Sequence, residues 1–235
     1  MRVLVTRPRH SGERTARRLR ELGHEPILLP LAQPVHDADT ALHALKTTEG
    51  SIAITSAEAI RALAEKSAEL ADHLVRPVFA VGEATAEEAR AIGFVSVTAS
   101  GGNGHELAGT IAEKASAPVL YLTGLPRAEA FEKRAREIGL QINVVECYRM
   151  QPIRIEPQTL HAIFAHQRPD AVLLYSRQTA ESYFRMIEEE VGLGNLLGTR
   201  FLCLSSSVAE AVPEPLRGAV STAPAPEERS LLSLL

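Results

Sequence analysis

Short apolar runs alternate with helical stretches along the whole chain. The apolar run Arg2–Thr6 is followed by a helix that Ser11 is expected to cap and that places Leu19 and Leu22 against the core. A second apolar run, His24–Leu31, follows this helix. Strands that alternate with helices in this way predict parallel β-sheets with helices on both faces. We therefore expect an α/β fold.

The segment Val119–Arg149 repeats the pattern of Val3–Ala32 without a gap, so that Gly23 falls on Gly139. Each copy, which we call block a, consists of a strand, a helix that ends at its glycine, and a second strand. A glycine that ends a helix adopts a positive φ, and we expect this at both positions.

Two further blocks are repeated in the same order. In block b, IAITSAEAIRAL matches VLLYSRQTAESYF and places Ser56 on Ser176. In block c, VFAVGEATAEEAR matches LCLSSSVAEAV and places Gly82 on Ser205. The order a, b, c, a, b, c indicates two similar α/β domains rather than a solenoid, because each unit is long and occurs only twice.

Two divisions of the chain would give each domain one copy of every block. Proline-bearing stretches at about 33–37 and about 149–157 directly follow the a blocks, and we expect them to end strand pairing and act as linkers. They favour a discontinuous domain, residues 1–33 and 153–235, with a second domain, residues 36–149, inserted in it. Two crossing strands would then join the domains, with a hinge and a cleft between them.

Small hydroxyl residues and glycines follow the predicted strands. Ligands bind at this edge of parallel α/β sheets, and helix N-termini there favour anions. A single Ser or Thr is ordinarily a helix cap, but the character of all the loops together indicates an anion-binding cleft. The candidate binding residues are Thr6, Arg7, Ser56, Gly82, Thr85, Gly124, Ser176 and Ser205.

No motif for a nucleotide, a cofactor or a metal is found. Gly82 and Thr85 do not form a phosphate-binding loop, since no Gly-Lys-Ser/Thr follows, and no GxGxxG follows a strand. The histidines and cysteines lack metal-ligand spacing. Glu58, in the first turn of a helix, is explained by the helix dipole alone. Tyr148 ends the second a block, and its spacing leaves interface packing and catalysis equally open.

Composition narrows the class of protein. A chain of 235 residues suits two small domains, and a net charge of −4 argues against a nucleic-acid partner. Cys147 and Cys203 lie in or beside apolar runs, as buried thiols do in a reducing compartment. No targeting signal is visible, and no apolar run approaches the ~20 residues of a membrane span. We expect a cytoplasmic protein with no membrane partner.

Six segments, VLVTRP, ITSAEAI, FAVGEATAEEARAIGF, VVECYRM, LLYSRQTAESYF and LCLSSSVAEAV, resemble the uroporphyrinogen-III synthase family in their order and spacing. The resemblance covers nearly the whole chain. It implies two flavodoxin-like (HemD-like) α/β domains, one inserted in the other and joined by a two-stranded linker.

The resemblance also implies a lyase of heme and cobalamin biosynthesis. The reaction would close the linear tetrapyrrole hydroxymethylbilane, with inversion of ring D and loss of water. No cofactor or metal would be needed, and the enzyme would be a monomer that receives its substrate transiently from the upstream deaminase.

The residues implied by the resemblance are few. Tyr148 would help the hydroxyl group leave, Ser56, Thr85 and Ser176 would be cleft hydroxyls, and Arg127 would contact a carboxylate. The chain departs from the family in its last block, where Ser205–Val208 lacks the usual threonine.

Three alternatives remain open from the sequence. A hinged binding module for an anionic small molecule would share the cleft without catalysis. A phosphosugar or nucleotide enzyme would need a phosphate loop or a carboxylate cluster, and neither is present. An inactive relative of the synthases would be indifferent to mutation of Tyr148.

Overall fold

The computed structural model describes residues 1–115, 118–165 and 168–235. The described chain forms two compact units, one of residues 1–33 and 151–235 and the other of residues 34–150. The first unit therefore consists of two separate segments of the chain, whereas the second unit is continuous in sequence.

Strands and helices alternate along the chain, as the pattern of apolar residues predicts. The strands are β1 Arg2–Val5, β2 Glu25–Leu28, β3 Ala32–His36, β4 Ile52–Ile54, β5 Val78–Ala80, β6 Val97–Ala99, β7 Val119–Leu125, β8 Ile142–Pro152, β9 Ala171–Leu174, β10 Arg200–Cys203 and β11 Val220–Thr222. The α-helices are α1 Arg9–Glu21, α2 Ala38–Thr47, α3 Ala57–Ala64, α4 Glu83–Ala91, α5 Gly104–Lys114, α6 Ala130–Glu137, α7 Pro157–Ala165, α8 Arg177–Glu190, α9 Ser206–Ala209 and α10 Glu228–Leu232.

The two sheets have corresponding strand orders. The first unit has the order β11-β10-β9-β1-β2, and the second has β3-β8-β7-β4-β5-β6. If the extra strand β3 is left out and the first order is read from its other end, the two orders correspond strand by strand. The a-block strands β2 and β1 then correspond to β8 and β7, and the b-block strand β9 corresponds to β4. The order 2-1-3-4-5 is flavodoxin-like, so the prediction of two similar α/β sheets is confirmed.

The strand order also locates the topological switch point of each sheet, the place from which the successive connections lead to opposite sides of the sheet. In the first unit this switch point lies between β1 and β9, which pair in parallel. In the second it lies between β7 and β4, which also pair in parallel. Ligands of such sheets bind beyond the carboxyl ends of these two strands.

The central strands of each sheet are buried on both faces, which explains their continuous apolar runs. In β4, Ile52 and Ile54 point into one core cluster, and Ala53 points into another on the opposite face. In β1, Leu4 and Val5 are divided between two clusters in the same way. No helix in the described ranges is both long and apolar enough to cross a membrane.

Helix α1 shows where sequence reasoning about helix ends succeeded and where it was wrong. Gly23 and Gly139 have φ of 79° and 70°, so their predicted role after a helix is confirmed. The helix begins two residues before Ser11, with Pro8 at the N-cap, so the expected cap is wrong. Leu22 is 56% exposed rather than in the core, because the helix ends at Glu21 and the chain turns there.

The proline-bearing stretches do not end strand pairing as expected. Pro34 lies inside β3, and β8 continues through the first part of the second stretch to Pro152. Because β3 is the edge strand of its sheet, one side of it makes no ladder hydrogen bonds, and a residue without an N–H is tolerated there.

Candidate functional site

The switch point of the second unit contains the predicted residue Ser56 and two further hydroxyl residues, Thr55 and Thr123. Ser56 follows β4 and caps α3, accepting a hydrogen bond from the Glu58 backbone N–H at 3.3 Å. Its neighbour Thr55 is half-buried at the end of the same strand, and Thr123 lies near the end of β7 with 1% of its surface exposed. The parallel pairing of β4 with β7 brings these three side chains to one edge of the sheet.

Tyr148 reaches this edge from β8 and packs directly on the backbone of β7. A Cβ atom placed on Gly124 would lie 2.3 Å from Cε2 and 2.4 Å from Cζ of the Tyr148 ring. The pairing of β7 with β8 shifts register between Thr123 and Gly124, and Gly124 then faces Tyr148. Gly124 is therefore required by the close approach of an aromatic ring, a role that the sequence did not reveal.

The environment of Tyr148 favours the protonated phenol. Burial raises the pKa of Tyr148, and the nearby negative charge of Glu58 raises it further. The Ser56 hydroxyl lowers the pKa of Tyr148 but is outweighed. With 7% of its surface exposed, Tyr148 is a buried neutral acid beside a serine hydroxyl.

A chain of hydroxyl groups joins the two switch-point strands. The Thr123 hydroxyl donates to the Tyr121 hydroxyl at 3.1 Å, and the Tyr121 and Thr55 hydroxyls are hydrogen-bonded at 2.9 Å. Tyr121 is fully buried on β7, with its ring against Phe131 at a centroid distance of 4.5 Å. Tyr121 is not among the site residues predicted from the sequence, because a tyrosine in an apolar strand is ordinarily a core residue.

Glu58 is part of a buried charged network rather than a solvated acid of a helix first turn. One carboxylate oxygen lies 3.1 Å from Nε2 of His36, and the other accepts from Arg61. The second nitrogen of His36 lies 2.7 Å from the Glu65 carboxylate. His36 comes from the edge strand β3, so the network depends on a contact that spacing along the chain does not indicate.

Gly82 and Thr85 lie at the next strand end, after β5. Gly82 is the N-cap of α4 in an extended conformation, and a Cβ there would meet Gly102 at 3.9 Å, an ordinary contact. Thr85 is in the first turn of α4 with 8% of its surface exposed. The structure therefore places both residues at the sheet edge, as the sequence predicts.

Arg127 is already neutralised by two acids of its own unit. Its guanidinium binds Glu132 at 2.5 Å and Glu146 at 2.8 Å, and its side chain is 21% exposed. These hydrogen bonds raise the pKa of Arg127. The contacts tie the loop after β7 to α6 and β8, so a substrate carboxylate would compete with both acids.

The switch point of the first unit contains Thr6, Arg7 and Ser176. Thr6 is buried and donates to the Leu173 carbonyl at 3.1 Å. Ser176 is exposed and caps α8 through the Thr179 backbone N–H. Ser205, at the neighbouring strand end, is the N-cap of α9 without a side-chain cap bond.

The carboxylate of Glu228, on α10, lies among the side chains of this first switch point. No sequence motif predicted that Glu228 would be part of it. Arg7 lies 4.1 Å above the Tyr175 ring and binds the Glu228 carboxylate at 2.8 Å. Tyr175 donates to the same carboxylate at 3.0 Å, and Thr15 and Arg18 bind it as well. Burial of Glu228 raises its pKa, but these donors together outweigh burial and hold the pKa below its usual range.

The described residues contain no group of three or more histidine, cysteine, aspartate or glutamate side chains that could hold a metal ion. Cys147 and Cys203 are free and buried, and burial raises the pKa of their thiols to about 12 and about 11. Neither thiol is therefore a thiolate at neutral pH.

Two flavodoxin-like units, each with hydroxyl residues at its switch point, define a two-unit α/β protein. The model of the family uroporphyrinogen-III synthase HemD matches residues 13–233, and the chain belongs to this family. The members of this family are enzymes of tetrapyrrole biosynthesis, and this chain functions in the same biosynthesis. No curated protein sequence matches the chain.

Solved structures of two synthases share the fold. A mutant uroporphyrinogen III synthase from Thermus thermophilus is 18% identical, with a TM-score of 0.56 over 100% of this chain and 96% of that one. A uroporphyrinogen-III synthetase from Helicobacter pylori is 16% identical, with a TM-score of 0.64 over 100% of this chain and 98% of that one. At these identities the likeness concerns the fold.

Proposed function

We propose that this chain is a lyase that closes hydroxymethylbilane to uroporphyrinogen III, with inversion of ring D and loss of water. The match of the family model over residues 13–233 carries this proposal. The buried, neutral Tyr148 at a sheet edge rich in hydrogen-bond donors supports it.

Tyr148 is the proton donor of the proposed reaction. When the bond between the hydroxymethyl carbon and its oxygen breaks, the phenol gives its proton to the departing oxygen, which leaves as water. A positioned general acid contributes about 10²- to 10⁴-fold to a rate. Because burial raises the pKa of Tyr148 above its ordinary value, the phenol is in the required protonated form over the physiological pH range.

The binding residues act by orientation. The substrate ionises readily, so the enzyme must mainly hold the linear tetrapyrrole in the geometry that closes ring D by the inverted route. The hydroxyls of Ser56, Thr85 and Ser176 and the helix N-termini at Gly82 and Ser205 are donors for its carboxylates.

The remaining proposed residues shape the loops around these donors. Gly124 leaves room for the Tyr148 ring, and Thr6 fastens the end of β1 to β9. Arg7 and Arg127 bring positive charge to the strand ends, although acids of the chain already bind both of them. We expect their loss to loosen the loops more than to remove a direct substrate contact.

The setting of the reaction is also part of the proposal. The enzyme acts in the cytoplasm as a monomer, needs no cofactor, and receives its substrate from the upstream deaminase. The resemblance to the synthases supports these points.

The decisive experiment supplies the purified protein with hydroxymethylbilane and separates the oxidised products by isomer. We expect predominantly the type III isomer, with heat-denatured protein giving type I from the uncatalysed closure. Type I alone from the native protein would contradict the proposal and leave a binding module or an inactive relative.

A further inference from the structure

The direction of the hydroxyl chain of Thr123, Tyr121 and Thr55 follows from counting its protons and their acceptors. A tyrosine or threonine hydroxyl has one proton to donate. The Tyr121 oxygen accepts the proton of Thr123, whereas in the pair of Tyr121 and Thr55 either hydroxyl could be the donor. Tyr121 is fully buried and a buried hydroxyl proton needs an acceptor, so the arrangement that satisfies Tyr121 has its proton donated to the Thr55 oxygen. The Thr55 proton is left over, and in the part of the chain that the structure describes no acceptor for it is found.

Thr55 is the open end of this chain. Tyr121 and Thr123 are buried, whereas Thr55 is half-buried and precedes Ser56, whose hydroxyl acts on the pKa of Tyr148. The leftover proton is therefore at the sheet edge where Tyr148 lies. Successive hydrogen bonds polarise one another, so the two upstream hydroxyls make Thr55 a better donor than an isolated threonine.

The fold does not require these hydroxyls. In the repeated blocks of the first unit, Val5 takes the place of Tyr121, Arg7 that of Thr123 and Tyr175 that of Thr55. Val5 is fully buried in a sheet with the corresponding strand order. A hydroxyl at the central position is thus a feature of the second unit, and packing alone does not explain it.

We propose that Tyr121 is a positioning residue, which orients the Thr55 hydroxyl as a hydrogen-bond donor to a carboxylate of the substrate. This inference rests on the proposed synthase function and adds a donor that the sequence did not indicate. Tyr121 itself does not touch the substrate, because it is fully buried and acts through Thr55.

A double-mutant cycle tests the proposal. Tyr121→Phe removes the central hydroxyl but keeps the ring, and Thr55→Val removes the donor but keeps the shape. We expect each change to lower kcat/KM for type III formation about 10-fold, as the loss of one hydrogen bond to a charged group does. We expect the double variant to be no worse than Thr55→Val alone, because Tyr121 acts only through Thr55.

Two controls separate this role from a structural one. Tyr183→Phe removes another buried tyrosine hydroxyl, which has no hydrogen-bond partner among the described residues, and should leave kcat/KM unchanged. Thr55→Ser keeps the donor and should retain the wild-type value. Additive losses in the cycle, or a Thr55→Ser variant as poor as Thr55→Val, would overturn the inference.

The isomer assay on the wild-type protein distinguishes failure of the proposed synthase function from failure of the inference about Tyr121. If the wild-type protein forms only type I, the proposed function fails and the inference fails with it. If it forms type III while Tyr121→Phe has the wild-type kcat/KM, only the inference is wrong.

Discussion

Substituting Gly124 by alanine should displace Tyr148 and thereby reduce turnover. The new Cβ would lie 2.3 to 2.6 Å from three atoms of the Tyr148 ring. Ordinary van der Waals contact begins at 3.4 Å, so the ring must move by roughly 1 Å. The backbone of Gly124 does not have a positive φ, so the clash with the ring is the dominant effect of the substitution.

The size of the effect follows from this displacement. Overpacking of a buried site costs about 1–3 kcal/mol of the free energy of unfolding. A misplacement of about 1 Å at a reacting group can cost about 10²-fold in rate. We therefore expect kcat for type III formation to fall by about 100-fold, with a measurable decrease in the free energy of unfolding in urea.

A matched glycine and a compensating variant make the test specific. Gly109→Ala, in α5 where an added Cβ meets nothing within 4 Å, should keep full activity and gain about 0.5–1 kcal/mol of stability. Combining Gly124→Ala with Tyr148→Ala should cost less stability than the sum of the single changes, because the clash is gone. A Gly124→Ala protein with wild-type kcat and stability would refute the reasoning.

Three further predictions concern groups whose pKa is shifted. Tyr148→Phe should lower kcat about 100-fold with little change in melting temperature, because it removes the proton donor but keeps the ring. The kcat of the wild-type enzyme should not decline below about pH 10, because the raised pKa keeps the Tyr148 phenol protonated. A decline at lower pH would exclude Tyr148 as the acid. Cys147→Ala should leave kcat unchanged, since a thiol with a pKa of about 12 is neither charged nor reactive at pH 7; a loss above about 10-fold would contradict this. Glu228→Gln should cost about 3 kcal/mol at pH 7, where its carboxylate is paired with Arg7. The pKa of Glu228 in the folded state is below its usual value, so the extra stability of the wild-type protein over Glu228→Gln is present above about pH 4.5. This difference in the free energy of unfolding should shrink as the pH falls through the folded-state pKa. The same difference in urea titrations at pH 7 and at about pH 3 would argue against the prediction.

The sequence predicted what local pattern controls. The alternation of apolar runs with helices gave the α/β class, and the repeated blocks predicted the similarity of the two sheets. Gly23 and Gly139 were recognised because a helix end that needs positive φ selects glycine almost alone. Ser56 and Ser176 were placed correctly at strand ends, since a cap residue directly precedes its helix.

Other features were decided only by tertiary structure. Leu22 was expected inside and is outside, because one turn at the end of α1 changes the face that a residue presents. Gly124 has no local reason to be glycine, since its neighbour Tyr148 comes from another strand. Glu58 and Glu228 resemble ordinary helix acids, and only burial beside distant partners distinguishes them.

The hydroxyl chain shows the physical reason for this division. Each of its residues is unremarkable in sequence, because threonine and tyrosine are common in strands. Their meeting depends on the register of β4 against β7, which aligns Ile54 with Leu122 and brings the Thr55 and Tyr121 hydroxyls to 2.9 Å. Apolar patterning acts within each element and can be read along the chain, whereas polar contacts between elements exist only once the strands are paired in register.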